Sequence, residues 1–157
     1  MIEYSYKTIH SLRHAKNRKV YNKFLIEVGT KNQRHGQRTL YDHLVGTWKL
    51  LKEWGYSREI CNAGLFHSIY GTQVYLPSTI PIEDRKVVQN LIGKTAENLV
   101  YLFHITPPDR FDYFVTMSEP DRSDLITIEY ANAMEQSEKN WDDKRFHPYL
   151  VGDFLLD

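Results

Sequence analysis

The chain has 157 residues, 41% hydrophobic and 13% aromatic, enough to fill one core without requiring a second domain. Its 20 basic and 20 acidic side chains cancel, which excludes a global field that recruits nucleic acid or anionic lipid. The lone Cys61 excludes an internal disulfide framework. No run approaches the ~18 apolar residues of a membrane span and the N-terminus does not read as an export signal, so a soluble, cytoplasmic protein is expected.

From about Ser11 to Val28, the apolar residues Leu12, Ala15, Val20, Phe24, Leu25 and Val28 recur among basic ones. This predicts an amphipathic helix with Arg13, Lys16, Arg18, Lys19 and Lys23 on its wet side, ended by Gly29. Thr30 to Arg38 reads as a polar loop carrying Lys31, Arg34, His35 and Arg38, placed to overhang any pocket lined by the following helix. Arginine forks there suit phosphate and carboxylate.

The next helix runs from a Thr39 cap to Gly55, with Leu40, His43, Thr47, Leu50 and Trp54 on one stripe, so His43 faces the core. Ser57 caps another helix, with Glu59 in its first turn and His67 near its end. Cys61, beside Ala63 and Gly64, reads as a small packed residue rather than a nucleophile. Mid-helix Gly46 and Gly64 each cost roughly 1 kcal/mol relative to alanine. Such a cost marks a close approach, expected here from the partner helix, and packing across small residues brings His43 and His67 toward a shared ligand.

Tyr70 to Pro81 reads as a loop, after which Pro81 opens a helix from Ile82 to Ile92 that packs Val87, Val88, Leu91 and Ile92 and is broken by Gly93. A helix from about Thr95 to His104 buries Ala96, Leu99, Val100, Leu102 and Phe103 and leaves His104 at its end, either dipole-stabilised or a supplementary ligand. Pro107 and Pro108 force a turn before a short aromatic helix around Phe111 to Val115. The last long helix runs from Ser123 toward Lys139, and its apolar surface is interrupted by a polar stripe of Glu129, Asn132 and Gln136. The tail, WDDKRFHPYLVGDFLLD, carries aromatic and leucine anchors that predict docking on the body. With no period-2 segment bounded by hairpin turns, the expectation is one all-α domain over 1–157, of about six to eight helices.

A histidine inside one helix, followed about two dozen residues later by a second at the end of AGLFHS, resembles the start of the HD superfamily of metal-dependent phosphohydrolases. The basic Arg34-His35-Gly36 before His43, the later LIGKTAENLVYLF and the helix LITIEYANAMEQ resemble the alarmone-hydrolase branch, which removes pyrophosphate from guanosine tetraphosphate. The resemblance covers about Arg34 to Gln136. The chain departs from the pattern in three places: Ser68 replaces the aspartate of His-Asp, Asn132 replaces the final metal-binding aspartate, and Tyr70-Gly71 replaces the acidic pair that activates water.

The resemblance implies a helical HD-like domain in which His43 and His67, with His104 as a further candidate, hold a divalent manganese, iron or zinc ion weakly or not at all. Glu129, one turn before Asn132, and His35 are the candidate catalytic groups. Arg34, Arg38, Ser68, Tyr70 and Asn132 are the candidate contacts to a small anionic or phosphorylated molecule. Two readings follow: an altered metal-dependent phosphohydrolase, or a catalytically silent HD-like binding or interaction module. The iron-dependent oxygenases of the HD type rely on more histidines and keep His-Asp, so they fit less well. No nucleic-acid or membrane partner is expected.

Overall fold

The computed structural model describes residues 18–72, 75 and 77–137, which form seven helices and one small hairpin. The helices are α1 (Arg18–Glu27), α2 (Leu40–Glu53), α3 (Arg58–Phe66), α4 (Arg85–Ile92), α5 (Lys94–Ile105), α6 (Arg110–Phe114) and α7 (Asp121–Ser137). Strands β1 (Arg34–His35) and β2 (Arg38–Thr39) pair antiparallel, Arg34 opposite Thr39 and His35 opposite Arg38. Among the described residues the fold is therefore all-α apart from this hairpin. The expected docking of the tail, and the helical expectation for residues 11–17, lie outside the described residues.

Local chemistry sets the ends of the two central helices. Thr39 Oγ1 accepts from the Asp42 N–H at 3.1 Å while the Asp42 carboxylate accepts from the Thr39 N–H at 3.4 Å, a reciprocal cap that opens α2. Ser57 Oγ accepts from the Ile60 N–H at 3.3 Å and opens α3. Since α2 packs on α3 and α7, and α3 packs on α5, the core forms around the α2–α3 pair. Phe24, Leu25, Leu40, Leu44, Leu65, Phe66, Leu99, Phe103, Phe114 and Leu125 are among its fully buried members. Each such side chain contributes roughly 1.5–3 kcal/mol relative to exposure.

The two mid-helix glycines face different neighbours. A Cβ at Gly64 would strike the Leu51 side chain, so α3 does press on α2 there. A Cβ at Gly46 would instead lie 2.6 Å from Glu135 Cδ and 2.9 Å from Cγ, so the group that Gly46 makes room for is a carboxylate on α7 rather than α3.

A buried carboxylate also braces the back of the fold. Glu97, fully buried on α5, accepts from Arg85 Nε at 2.6 Å and Nη2 at 2.8 Å, from Gln89 Nε2 at 3.1 Å and from the Tyr70 hydroxyl at 2.9 Å. It ties α4, α5 and the segment after His67 together. The loop beyond is fixed by Ile69, whose carbonyl accepts from the N–H groups of Thr79 and Ile80 at 3.0 and 3.1 Å.

Candidate functional site

His43 and His67 meet because each lies on the packed stripe of its own segment, in α2 and at the C-terminal cap of α3. Their Nε2 atoms are 3.2 Å apart and both rings are buried. Helix α7 adds Asn132, whose Oδ1 lies 2.8 Å from His43 Nε2 and 3.0 Å from His67 Nε2.

Partners on the far side of each group determine where the protons sit. His43 Nδ1 donates to Glu135 Oε1 at 2.9 Å. Burial pushes the Glu135 carboxyl up, but the hydrogen bonds and charges of His43 and Arg38 outweigh it and hold the group below the usual carboxylate range. It is ionised and accepts. His67 Nδ1 donates to the Gly64 carbonyl at 2.7 Å. Burial, followed by the neighbouring His43, pushes the His67 pKa well below the usual histidine value, so this ring is neutral near pH 7. Asn132 Nδ2 donates to Glu129 Oε2 at 3.1 Å, which turns Oδ1 toward the rings.

The consequence is a convergence of nitrogen and oxygen atoms. His43 Nε2, His67 Nε2 and Asn132 Oδ1 meet at separations of 2.8, 3.0 and 3.2 Å, and the neutral His67 ring, donating from Nδ1, turns a bare Nε2 lone pair to that point. The approaching Gln136 Nε2 is 3.4 Å from Asn132 Oδ1. Adjacent donors at right angles on ~2.1 Å metal bonds are about 3.0 Å apart, so the spacing fits one face of an octahedral ion. The charge fits less well, because the oxygen donor is a neutral amide. Among the described residues, no three His, Cys, Asp or Glu side chains group to hold an ion.

Two ion pairs flank the centre. Arg38 from β2 pairs with Glu135, donating from Nη1 to Oε2 at 3.1 Å and from Nη2 to the Glu135 carbonyl at 3.2 Å. Arg110 Nη1 donates to Glu129 Oε2 at 2.6 Å. Glu129 is itself buried, and burial raises its pKa while Arg110 opposes the shift. All its hydrogen bonds fall on Oε2, which leaves Oε1 with no donor among the described residues.

The hairpin covers the mouth. The His35 ring stacks on His43 with centroids 4.2 Å apart and meets Tyr75 edge-on at 4.6 Å, and Gln136 Nε2 donates to its Nε2 at 2.9 Å. Burial, then His43, lowers the His35 pKa from 6.5 to about 4. Beside it lies a pocket of about 520 Å³ lined by His35, Gly36, Gln37, Arg38 and Gln136.

Of the residues expected at the site, His43, His67, Asn132, Glu129 and His35 thus come together, with Arg38 one carboxylate away. Ser68 follows His67 directly, and its buried Oγ has no partner among the described residues. Arg34 is exposed on the hairpin, where its carbonyl accepts from the Tyr75 hydroxyl at 2.8 Å. Tyr70 turns its hydroxyl to Glu97. His104 donates to the Gly71 carbonyl at 2.9 Å and has no hydrogen bond or ring contact to His43, His67 or Asn132.

Two participants were not singled out from the sequence. Glu135 lies three residues beyond Asn132 on α7, and the gap at Gly46 was its signal. Arg110 has no local signal, because its partner lies on a different helix.

Residues 24–107 match a family described as a domain of unknown function, DUF6817, and the chain belongs to that family. No curated protein and no solved structure matches it. No helix among the described residues is long and apolar enough to cross a membrane.

Proposed function

We propose that this chain is an HD-like domain that binds a small anionic or phosphorylated molecule at the His43–His67–Asn132 centre together with a weakly held divalent ion, as an altered metal-dependent phosphohydrolase. The observation that carries the reading is the meeting of two imidazole nitrogens and one amide oxygen at separations of 2.8, 3.0 and 3.2 Å, donor types and a spacing that suit a divalent cation. Manganese, iron and zinc all accept imidazole and oxygen donors.

Charge favours an anionic ligand. The ion pairs around the centre cancel, Arg38 against Glu135 and Arg110 against Glu129. A divalent ion therefore adds two charges that the protein does not balance. At ~4 Å and an effective dielectric of about 20, one pair of opposite unit charges gains about 4 kcal/mol, well above the ~1.4 kcal/mol of a tenfold change in affinity. Ion and dianionic ligand should each tighten the other.

For hydrolysis, the ion would supply Lewis acidity and a more acidic bound water. Glu129 is the side chain fitted to take a proton, since burial raises its pKa and Oε1 is uncommitted. His35 sits at the mouth and stays neutral above pH 5, held by Gln136.

The second reading, a catalytically silent binding module, draws on one specific feature. A reversed Asn132 amide would donate one Nδ2 proton to each bare Nε2, and a protonated Glu129, favoured by burial, would donate to the displaced oxygen. That network needs no ion.

Elemental analysis of the purified protein, then calorimetry of manganese into stripped protein with and without inorganic phosphate, separates the two. Weak manganese binding that tightens at least ~10-fold with phosphate is expected from the linkage. No uptake by folded protein in either titration would leave only the silent module.

A further inference from the structure

The donors left over near the centre point to where the anion sits. The Arg110 side chain is only 10% exposed, yet its Nε is buried without a partner among the described residues. Of its five N–H donors, one is engaged among the described residues, through Nη1 on Glu129. The guanidinium lies 4.5 Å over the Phe103 ring centroid, and Phe103 in turn meets His67 edge-on at 5.3 Å. Ser68 Oγ, the next side chain after His67, is also buried and unpartnered among the described residues. Arg110 therefore sets an N–H donor with no acceptor among the described residues one carboxylate, Glu129, away from the point where His43, His67 and Asn132 meet. A metal-bound phosphoryl group is one chemical entity that would engage both.

We propose that Arg110 is a ligand-binding residue whose guanidinium, fixed by Glu129 against Phe103, donates to a phosphoryl oxygen of the molecule held at the histidine centre. The assignment rests on the anion-binding reading above, and it names the group recognised and the residue that recognises it. Glu129 positions the arginine by one end of its fork, and Phe103 holds the plane, so the uncommitted edge is preset before the ligand arrives. Arg110 lies outside residues 24–107, so this contact comes from a part of the chain that the family match does not cover.

The test uses inorganic phosphate as probe and the full chain as protein. The parent, the double variant Arg110→Gln with Glu129→Gln, and Arg110→Lys are titrated with phosphate by calorimetry, with and without manganese. The double variant replaces both charges, so no ion is left buried alone. Phosphate affinity should fall at least ~10-fold in the double variant and less in Arg110→Lys, which keeps the charge and loses the fork.

Unchanged phosphate affinity in a folded double variant would overturn the assignment, as would a parent that binds no phosphate under either condition. Phosphate binding that depends on Arg110 in a protein that takes up no manganese would sink the metal reading and leave this one standing. A measurement on the parent covers the case of a variant that does not fold. Phosphate should slow phenylglyoxal modification of Arg110 in peptide mapping, and an unaltered rate there would refute the contact.

Discussion

Replacing Gly46 with alanine tests whether the centre is braced as described, because two effects of opposite sign compete at that position. Alanine in a helix interior gains about 1 kcal/mol over glycine. Against it, the new methyl would lie 2.6 Å from Glu135 Cδ and 2.9 Å from Cγ, so the carboxylate must leave. Glu135 is not free to swing, since His43 Nδ1 at 2.9 Å and Arg38 Nη1 at 3.1 Å both hold it. Hydrogen bonds to charged groups are worth about 1.5–3 kcal/mol each, and the one from Arg38 counts at the low end because that side chain is 35% exposed. Losing most of both costs roughly 2–4 kcal/mol, so Gly46→Ala should destabilise by about 1–3 kcal/mol net in urea unfolding at pH 7. Repeating the substitution in a Glu135→Ala background removes the clash, and there it should stabilise by about 1 kcal/mol. A Gly46→Ala protein that is more stable than the parent would refute the Glu135 brace.

Acid should weaken the fold through Glu97. Hydrogen bonds from Arg85, Gln89 and Tyr70 and the Arg85 charge outweigh burial and hold its pKa below the ordinary 4.5, so below that pH the unfolded chain binds more protons. The stability Glu97 contributes is present above about pH 4.5 and is lost as pH falls through its lower folded value. Glu97→Gln should cost roughly 2–3 kcal/mol at pH 7, reduced from the usual 3–5 because Arg85 is partly exposed, and should flatten the acid limb of unfolding curves. An acid limb unchanged in the variant would show that Glu97 is not its source. At the centre, Ser68→Asp with Asn132→Asp should raise manganese or zinc affinity at least ~10-fold by calorimetry, because carboxylates replace neutral donors, without efficient hydrolysis while Tyr70-Gly71 stands in place of an acidic pair. Tight metal in the parent, or no gain in a folded variant, would show that other residues form the ligand set.

Signals confined to one helix were legible in the sequence. The Thr39 and Ser57 caps, the placement of His43 on a packed stripe and the glycine interruptions all depend on neighbours within a few residues, and the helices formed accordingly. What escaped depends on contacts between elements. The strands at Arg34–His35 and Arg38–Thr39 are two residues each, too short for any alternation to register. Glu129 and Asn132 could be read as a partly exposed stripe, yet they are 8% and 4% exposed because α7 packs that face against α2 and α3. Gly46 was read as room for the other histidine helix. It is room for Glu135, a distinction visible only once α7 is in place. Tyr70 sits at an expected site position in sequence, but buried Glu97, 27 residues away, claims its hydroxyl.

The neutral residue at position 132 is tied to the acid one turn earlier. With Asn132 donating to Glu129 Oε2 at 3.1 Å, Glu129 can stay paired with Arg110 while the amide oxygen faces the histidines. An aspartate there would set two carboxylates at that distance, a pair that in the absence of a cation must share a proton or separate. The amide thus avoids like-charge repulsion beside Glu129, and on the proposed reading it gives up the charge that would hold a divalent ion tightly. Glu135 works in the same direction from the other side. Its ionised carboxylate accepts from His43 Nδ1 and orients the ring so that Nε2 faces His67 and Asn132. On the proposed reading, the missing negative charge comes with the ligand, so the affinity for ion and the affinity for phosphoryl group are two halves of one quantity.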